Sequence, residues 1–156
     1  MRKHHFTSAL VALGLVLANP LQAAPAVSGA WVPEMPPGAH AYGAFMVLEN
    51  PDDEVVSLVR AEAPGFSKIE LHESVNVDGM HRMIEMSEIE IPPAGQTLLQ
   101  PGGYHVMLIG PQTPLAAGDV VPITLHFSDG SVMQVDAEVR RRDQMKRGHM
   151  GGHAGH

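Results

Sequence analysis

Four side chains in the middle of the sequence carry donors suited to a soft or borderline metal: His72, Met83, His105 and Met107, in the frame H-x10-M-x21-H-x-M. Imidazole nitrogen and thioether sulfur without thiolate favour monovalent copper over zinc, magnesium or calcium. The 156 residues contain no cysteine, which removes thiolate metal sites, thiol catalysis and a blue-copper centre with its Cys ligand. Taken singly, each donor has an ordinary explanation. A methionine beside a strand usually fills a gap in a core, and a lone histidine is more often hydrogen-bonded or at the surface than a ligand. The joint pattern is rarer. With ten His and ten Met in 156 residues, the frame arises by chance in about three chains per thousand of this composition.

Such donors meet only if strands position them. Asp78-Gly79, between segments 68–77 and 80–86, has the composition of a two-residue hairpin loop. Val77 then pairs with Met80, Ser74 lies opposite Met83, and His72 lies opposite Glu85. Opposed residues share a face, as do residues two apart on a strand. His72 and Met83 therefore fall on one side of the hairpin, as diagonal neighbours roughly 7–8 Å apart at Cα. A slip of one residue would separate them. His105 and Met107, two apart on segment 104–109, share a face in the same way. Spacing alone does not bring the second pair to the first. The Pro101-Gly102-Gly103 loop ahead of it has the glycines that allow close backbone approach.

The surrounding chain reads as all-β. Charged residues are 17%, and 16 Gly and 13 Pro punctuate short apolar runs. Turn chemistry falls at Asn50-Pro51-Asp52-Asp53, Pro64-Gly65, Pro92-Pro93-Ala94-Gly95 and Asp129-Gly130. Between these lie expected strands at 30–32, 41–48, 55–61, 88–91, 97–100, 120–127 and 131–140, besides those already placed. About eight or nine short strands at this spacing predict a Greek-key sandwich or barrel, with a small helical turn near 115–119. Met46, Met86, Met133 and Met80 are assigned to packing, with Met80 the first candidate for an exception because it sits at the turn. His126, between Leu125 and Phe127, should face solvent. His40, His81 and His126 are read as decoys outside the frame, with no face assigned to His81.

The ends differ from this domain. Arg2 and Lys3, the apolar run 9–18, Pro20 and the small-residue stretch Gln22-Ala23-Ala24 make a secretory signal, with cleavage expected near Ala23. The run falls far short of the roughly 20 residues of a membrane-spanning helix. The expected organisation is a signal over 1–23, a folded domain over 24–142 and a flexible His- and Met-rich tail over 143–156. Loss of Arg2 and Lys3 leaves eight basic against 17 acidic residues, a formal charge of −9. That balance disfavours nucleic acid and anionic membrane as partners.

Beyond the four donors, several stretches resemble the periplasmic Cu(A) chaperone family, PCu(A)C. They are Ala44-Phe45-Met46-Val47-Leu48-Glu49-Asn50, Ile69-Glu70-Leu71-His72, Pro101-Gly102-Gly103-Tyr104-His105-Val106-Met107-Leu108 and Gly118-Asp119-Val120-Val121-Pro122. The resemblance runs from about Ser28 to Arg140, with no departure at the four donors. It implies a cupredoxin-like β-barrel binding Cu(I) through His72, Met83, His105 and Met107. It also implies copper delivery in the periplasm to the Cu(A)-bearing subunit of cytochrome c oxidase. Another copper chaperone is a further expected partner, and a monomer is the expected state. The tail resembles extensions that take up an additional copper ion, here Cu(II), with Met145, His149, Met150, His153 and His156 as its donors. Copper storage or resistance would use the same main donors and stands as the alternative to delivery. A non-metal adhesion sandwich is the bland alternative. Catalysis is not expected, because no nucleophile-elbow pattern is present.

Overall fold

The computed structural model describes residues 23–141 and 143; the expected signal up to Gln22 and the tail donors Met145, His149, Met150, His153 and His156 lie outside the described residues. Ten strands follow one another: β1 (Ala26–Pro33), β2 (Ala41–Asn50), β3 (Val56–Glu62), β4 (Phe66–Val77), β5 (Met80–Glu85), β6 (Ile89–Ile91), β7 (Gly95–Leu99), β8 (Tyr104–Pro111), β9 (Val120–Phe127) and β10 (Val132–Arg140). They join in one sheet in the order β5-β4-β8-β7-β2-β1-β10-β9-β3-β6, and β8 also pairs directly with β2. One apolar cluster draws Leu48, Leu71, Val106 and Leu108 from one side of the parallel β1–β10 seam and Leu58, Ile123 and Leu125 from the other. The sheet therefore folds over on itself around a shared core, the sandwich solution for strands with one apolar face.

Period-two patterning explains most of these strands. In β9, Val121, Ile123, Leu125 and Phe127 are buried, while the alternate Pro122, Thr124 and His126 are only partly covered. Strand β8 breaks the pattern, because His105, Val106, Met107 and Leu108 are buried in succession. Val106 lies opposite Leu71 and Ala44, and Leu108 opposite Ile69 and Tyr42, so these two face the core. His105 and Met107 must then point to the other face, which at this place is also shielded from water.

The β4–β5 hairpin has the expected register. Asp78 and Gly79 both have positive φ, 53° and 79°, as the two-residue type I′ loop requires. The pairs Val77 with Met80, Ser74 with Met83 and His72 with Glu85 follow from it.

Three expectations need correction. The strands number ten, one for each expected segment, against the count of eight or nine. The first begins at Ala26, not residue 30, because pairing of Ala26, Val27 and Ser28 with β2 extends it across a bulge before Trp31; small residues concealed that extent. The helical turn near 115–119 is instead a hydrogen-bonded turn closed by Asp119 N–H donating to the Ala116 carbonyl at 3.0 Å. Gly118 has φ 93°, and the Asp119 carboxylate accepts from Ala116 N–H at 2.8 Å, so side chain and backbone both divert the segment from a helix.

A β-carbon at Gly79 would meet open space, so the residue is needed for its backbone alone. Gly79→Val should cost about 1–2 kcal/mol through the left-handed conformation. Denaturant unfolding should show this loss, while Asp78→Asn, which the same loop favours, should leave the midpoint nearly unchanged.

Candidate metal centre

Strand β4 is 12 residues long and lies between β5 and β8, antiparallel to both. On one side it sets Ser74 opposite Met83 and His72 opposite Glu85. On the other it sets His72 opposite His105 and Glu70 opposite Met107. Since opposed residues share a face, His72, Met83, His105 and Met107 all lie on the face turned away from the core. The two imidazoles meet edge to face, with ring centroids 5.6 Å apart. This direct pairing joins the two halves of the frame, which spacing left separate.

Each histidine is fixed through one ring nitrogen. His105 Nδ1 lies 3.2 Å from the Gly103 carbonyl and donates to it, which assigns the lone pair to Nε2. The same carbonyl accepts Ser74 N–H at 3.0 Å. It is held by a tight turn in which Gly103 N–H donates to the Gln100 carbonyl at 3.0 Å and Gly102 has φ 82°. Pro followed by a positive-φ Gly is the sequence of a type II turn, so the Pro101-Gly102-Gly103 loop serves as a backbone clamp on His105. His72 Nε2 lies 2.7 Å from Glu70 Oε2 and donates to it, leaving the lone pair on Nδ1. Glu70 also pairs with Lys68. The Lys68 contact and then the His72 contact hold the Glu70 carboxyl below its usual range.

The remaining nitrogens, His72 Nδ1 and His105 Nε2, are buried without a hydrogen-bond partner; Asp52 Oδ2 is the other such side-chain atom among the described residues. An unsatisfied buried group costs about 1–3 kcal/mol, so two such atoms side by side suggest a place prepared for a ligand. Burial holds His105 below the ordinary histidine range; the nearby His72 acts in the same direction, against the Gly103 hydrogen bond. His105 is thus kept neutral, the form that can donate a lone pair to a metal.

A cover of aromatic rings explains why an outward-facing histidine is dry. Trp31 pairs with Phe45 across β1 and β2, with ring centroids 4.9 Å apart, and Phe45 lies 6.1 Å from the His105 ring. Gly43, opposite Met107, leaves room for this cover. A β-carbon there would approach the Phe45 ring to 3.0 Å. His105 is 3% and Met107 9% exposed, whereas Met83 is 60% exposed. Three donors are therefore sheltered, and the fourth stands on the open hairpin.

Thioethers are needed to complete the set, since no three His, Cys, Asp or Glu converge among the described residues. Met107 and Met83 flank the histidine pair on opposite sides, two strands and four residues apart. On a flat sheet their Cα atoms would be roughly 16 Å apart, so joint contact with one ion requires the hairpin to curl over the face. Parity also settles His81. It lies opposite Asn76, two residues from Met83, and so shares the face of the four donors. His126 is removed from this group; it contacts Glu62 at 3.2 Å and Arg60 at 3.2 Å. Met46 is buried and Met86 and Met133 pack against the core, but Met80 is exposed rather than packed, because the hairpin tip extends beyond the core. Sequence reasoning missed Glu70, the Gly103 carbonyl and the Trp31–Phe45 cover. Glu70 alone was accessible to parity, as the same-face residue two before His72.

Residues 25–139 match the LpqE-like family. A protein of Leifsonia xyli subsp. xyli named as a lipoprotein is 40% identical over 115 residues, 73% of this chain and 68% of that one. The solution structure of CuI-DR1885 from Deinococcus radiodurans is 34% identical with TM-score 0.55, over 73% of this chain and 76% of that one. The copper-bound PCuAC domain from PmoF2 is 20% identical with TM-score 0.63, over 75% of this chain and 92% of that domain. The latter likeness bears on fold and agrees with the all-β, cupredoxin-like architecture.

Because the folded chain holds His105 neutral, it binds fewer protons than the unfolded chain as pH falls. The associated stability is complete above the ordinary histidine pKa of about 6.5 and is lost as pH drops from there through the depressed folded value. Urea midpoints of the apo-protein between pH 8 and 5 should fall less steeply for His105→Gln than for the parent.

Proposed function

The chain belongs to the LpqE-like family, and on that footing we propose that it is an exported copper carrier rather than an enzyme. It binds Cu(I) through His72 Nδ1, His105 Nε2 and the sulfurs of Met107 and Met83. One observation carries the reading: two buried imidazole nitrogens without partners lie on one face beside a buried thioether. The Cu(I) form of the Deinococcus protein supports the same metal and oxidation state for this fold. A site of imidazole and thioether suits Cu(I) because both ligand types are borderline or soft, and neither is lost to disulfide formation outside the cytoplasm.

The ligands divide by task. His72 and His105 are oriented by Glu70 and Gly103 before copper arrives, as outer-sphere partners orient metal-bound imidazoles elsewhere. Met107 completes a sheltered three-donor seat. Met83 closes it from the hairpin as the most exposed of the four donors. The acceptor is the Cu(A)-bearing subunit of cytochrome c oxidase in the periplasm, with another copper chaperone as a further exchange partner. The tail donors Met145, His149, Met150, His153 and His156 form a second site for Cu(II).

Competition titration with a Cu(I) chelator tests the seat. Met83→Ala/Met107→Ala should weaken binding, and unchanged affinity would remove the ligand assignment. Glu70→Gln keeps the donors but alters the support of His72, and should weaken Cu(I) by about 10- to 100-fold. Mixing the Cu(I)-loaded chain with an apo Cu(A) domain should move copper to that domain; retention would favour storage. Removal of residues 144–156 should lower total copper by one equivalent while leaving Cu(I) at the main seat.

A further inference from the structure

Resting on the copper seat proposed above, we infer that His81 is the exchange ligand through which copper enters and leaves it. His81 lies opposite Asn76, one cross-strand row beyond the Ser74–Met83 pair. Residues two apart on a strand share a face and are separated by about 6.6 Å, so the His81 imidazole and Met83 thioether present a soft or borderline donor pair on the same side as His72 and His105. Their strand is exposed throughout and ends the sheet order, paired among the described residues with β4 alone. His81 makes no hydrogen bond or ion pair among the described residues, which leaves its ring nitrogens available.

The neighbours do not serve this task equally well. Met80 lies opposite Val77 and alternates to the other face. Glu85 shares the face but lies inward, opposite His72, and a carboxylate is a hard donor poorly matched to Cu(I). Outward along the row, only His81 offers a nitrogen beside Met83. Val77, Met80 and Ile84, the exposed large hydrophobics of this hairpin, lie on its other face, which leaves the donor face of the ribbon to Met83 and His81.

The step involves no electron transfer and no net proton movement. A neutral His81 nitrogen forms a bond to Cu(I) as the bond to His105 or His72 breaks. The remaining imidazole and Met107 bonds break in turn, and the ion, still monovalent, is then held by His81 and Met83 at the edge of the protein. Donors of the acceptor then add as the His81 bond and, last, the Met83 bond break. Loading follows the same steps in reverse. His81 thus lowers the barrier between the sheltered seat and the surface without belonging to the resting coordination set.

Stopped-flow transfer of Cu(I) from the loaded full chain to bicinchoninate reads this directly, alongside equilibrium competition for affinity. His81→Ala should leave the equilibrium affinity of the main seat unchanged and slow transfer by about tenfold, equivalent to about 1.4 kcal/mol of lost barrier stabilisation. His81→Met supplies another soft donor at the same place and should restore the rate, which a purely structural role would not predict. An unchanged rate in His81→Ala overturns the inference. So does an affinity loss equal to the rate change, since that makes His81 a resting ligand. Failure of the seat itself is a separate outcome: His72→Ala would then bind Cu(I) as tightly as the parent, whatever His81 does.

Discussion

The antiparallel register of β4 against β8 is the constraint on which the rest depends. It places His72 directly opposite His105 and Glu70 opposite Met107. A slip of one residue would send one histidine into the apolar core and bring Leu71 or Val106 outward. The register is secured by that core: Leu71 and Val106 are opposed and buried on its side, and in the next matching row the partly buried Ile69 lies opposite the buried Leu108. The hydrophobic effect on one face of the sheet thus determines donor geometry on the other. No separate device is needed to hold the two imidazoles together, and any change that weakens the core pairing is transmitted to them.

Rigidity is distributed unevenly around the donors. His105 sits beneath aromatic rings and is clamped by a turn carbonyl; His72 is held by a carboxylate that also answers to Lys68. These supports belong to strands integrated in the sheet. Met83 and His81 belong to a projecting two-stranded ribbon whose outer edge is unpaired. Such elements open at lower free energy than core strands. For the proposed copper carrier, tight retention and ready release are opposing requirements, and they would fall to different parts of this arrangement.

The local part of this arrangement was legible in the sequence. Asp78-Gly79 specified the turn, the turn specified the pairs, and parity put His72 and Met83 on one face. The same rule settles His81, because it lies two residues from Met83; the sequence reading left that residue unassigned although the information was present. The meeting of His72 with His105 was not legible, since β5, β6 and β7 intervene and their path is decided by nonlocal packing. Dry outer-face positions were also hidden. Alternation predicts which way Met107 and His105 point, but the rings of Trp31 and Phe45 come from β1 and β2, and their stacking depends on the absence of a side chain at Gly43. The role of Gly103 was partly visible as a glycine-rich loop; that its carbonyl would accept the imidazole proton was not.

The contrast between Met83 and Met107 has a consequence for chemical wear. Thioethers escape disulfide exchange but are open to oxidation to the sulfoxide, which turns a soft sulfur donor into a polar oxygen-bearing group. Exposure decides which is attacked. An oxidant reaches Met83 on the hairpin well before Met107 beneath the sheet's cover, so damage begins at the outer thioether of the proposed seat and spares the inner one. Sulfoxide formation is reversible by methionine sulfoxide reductases, and an exposed strand edge is a place such enzymes can reach. The architecture confines oxidative injury to the part of the site that can be repaired without unfolding the protein.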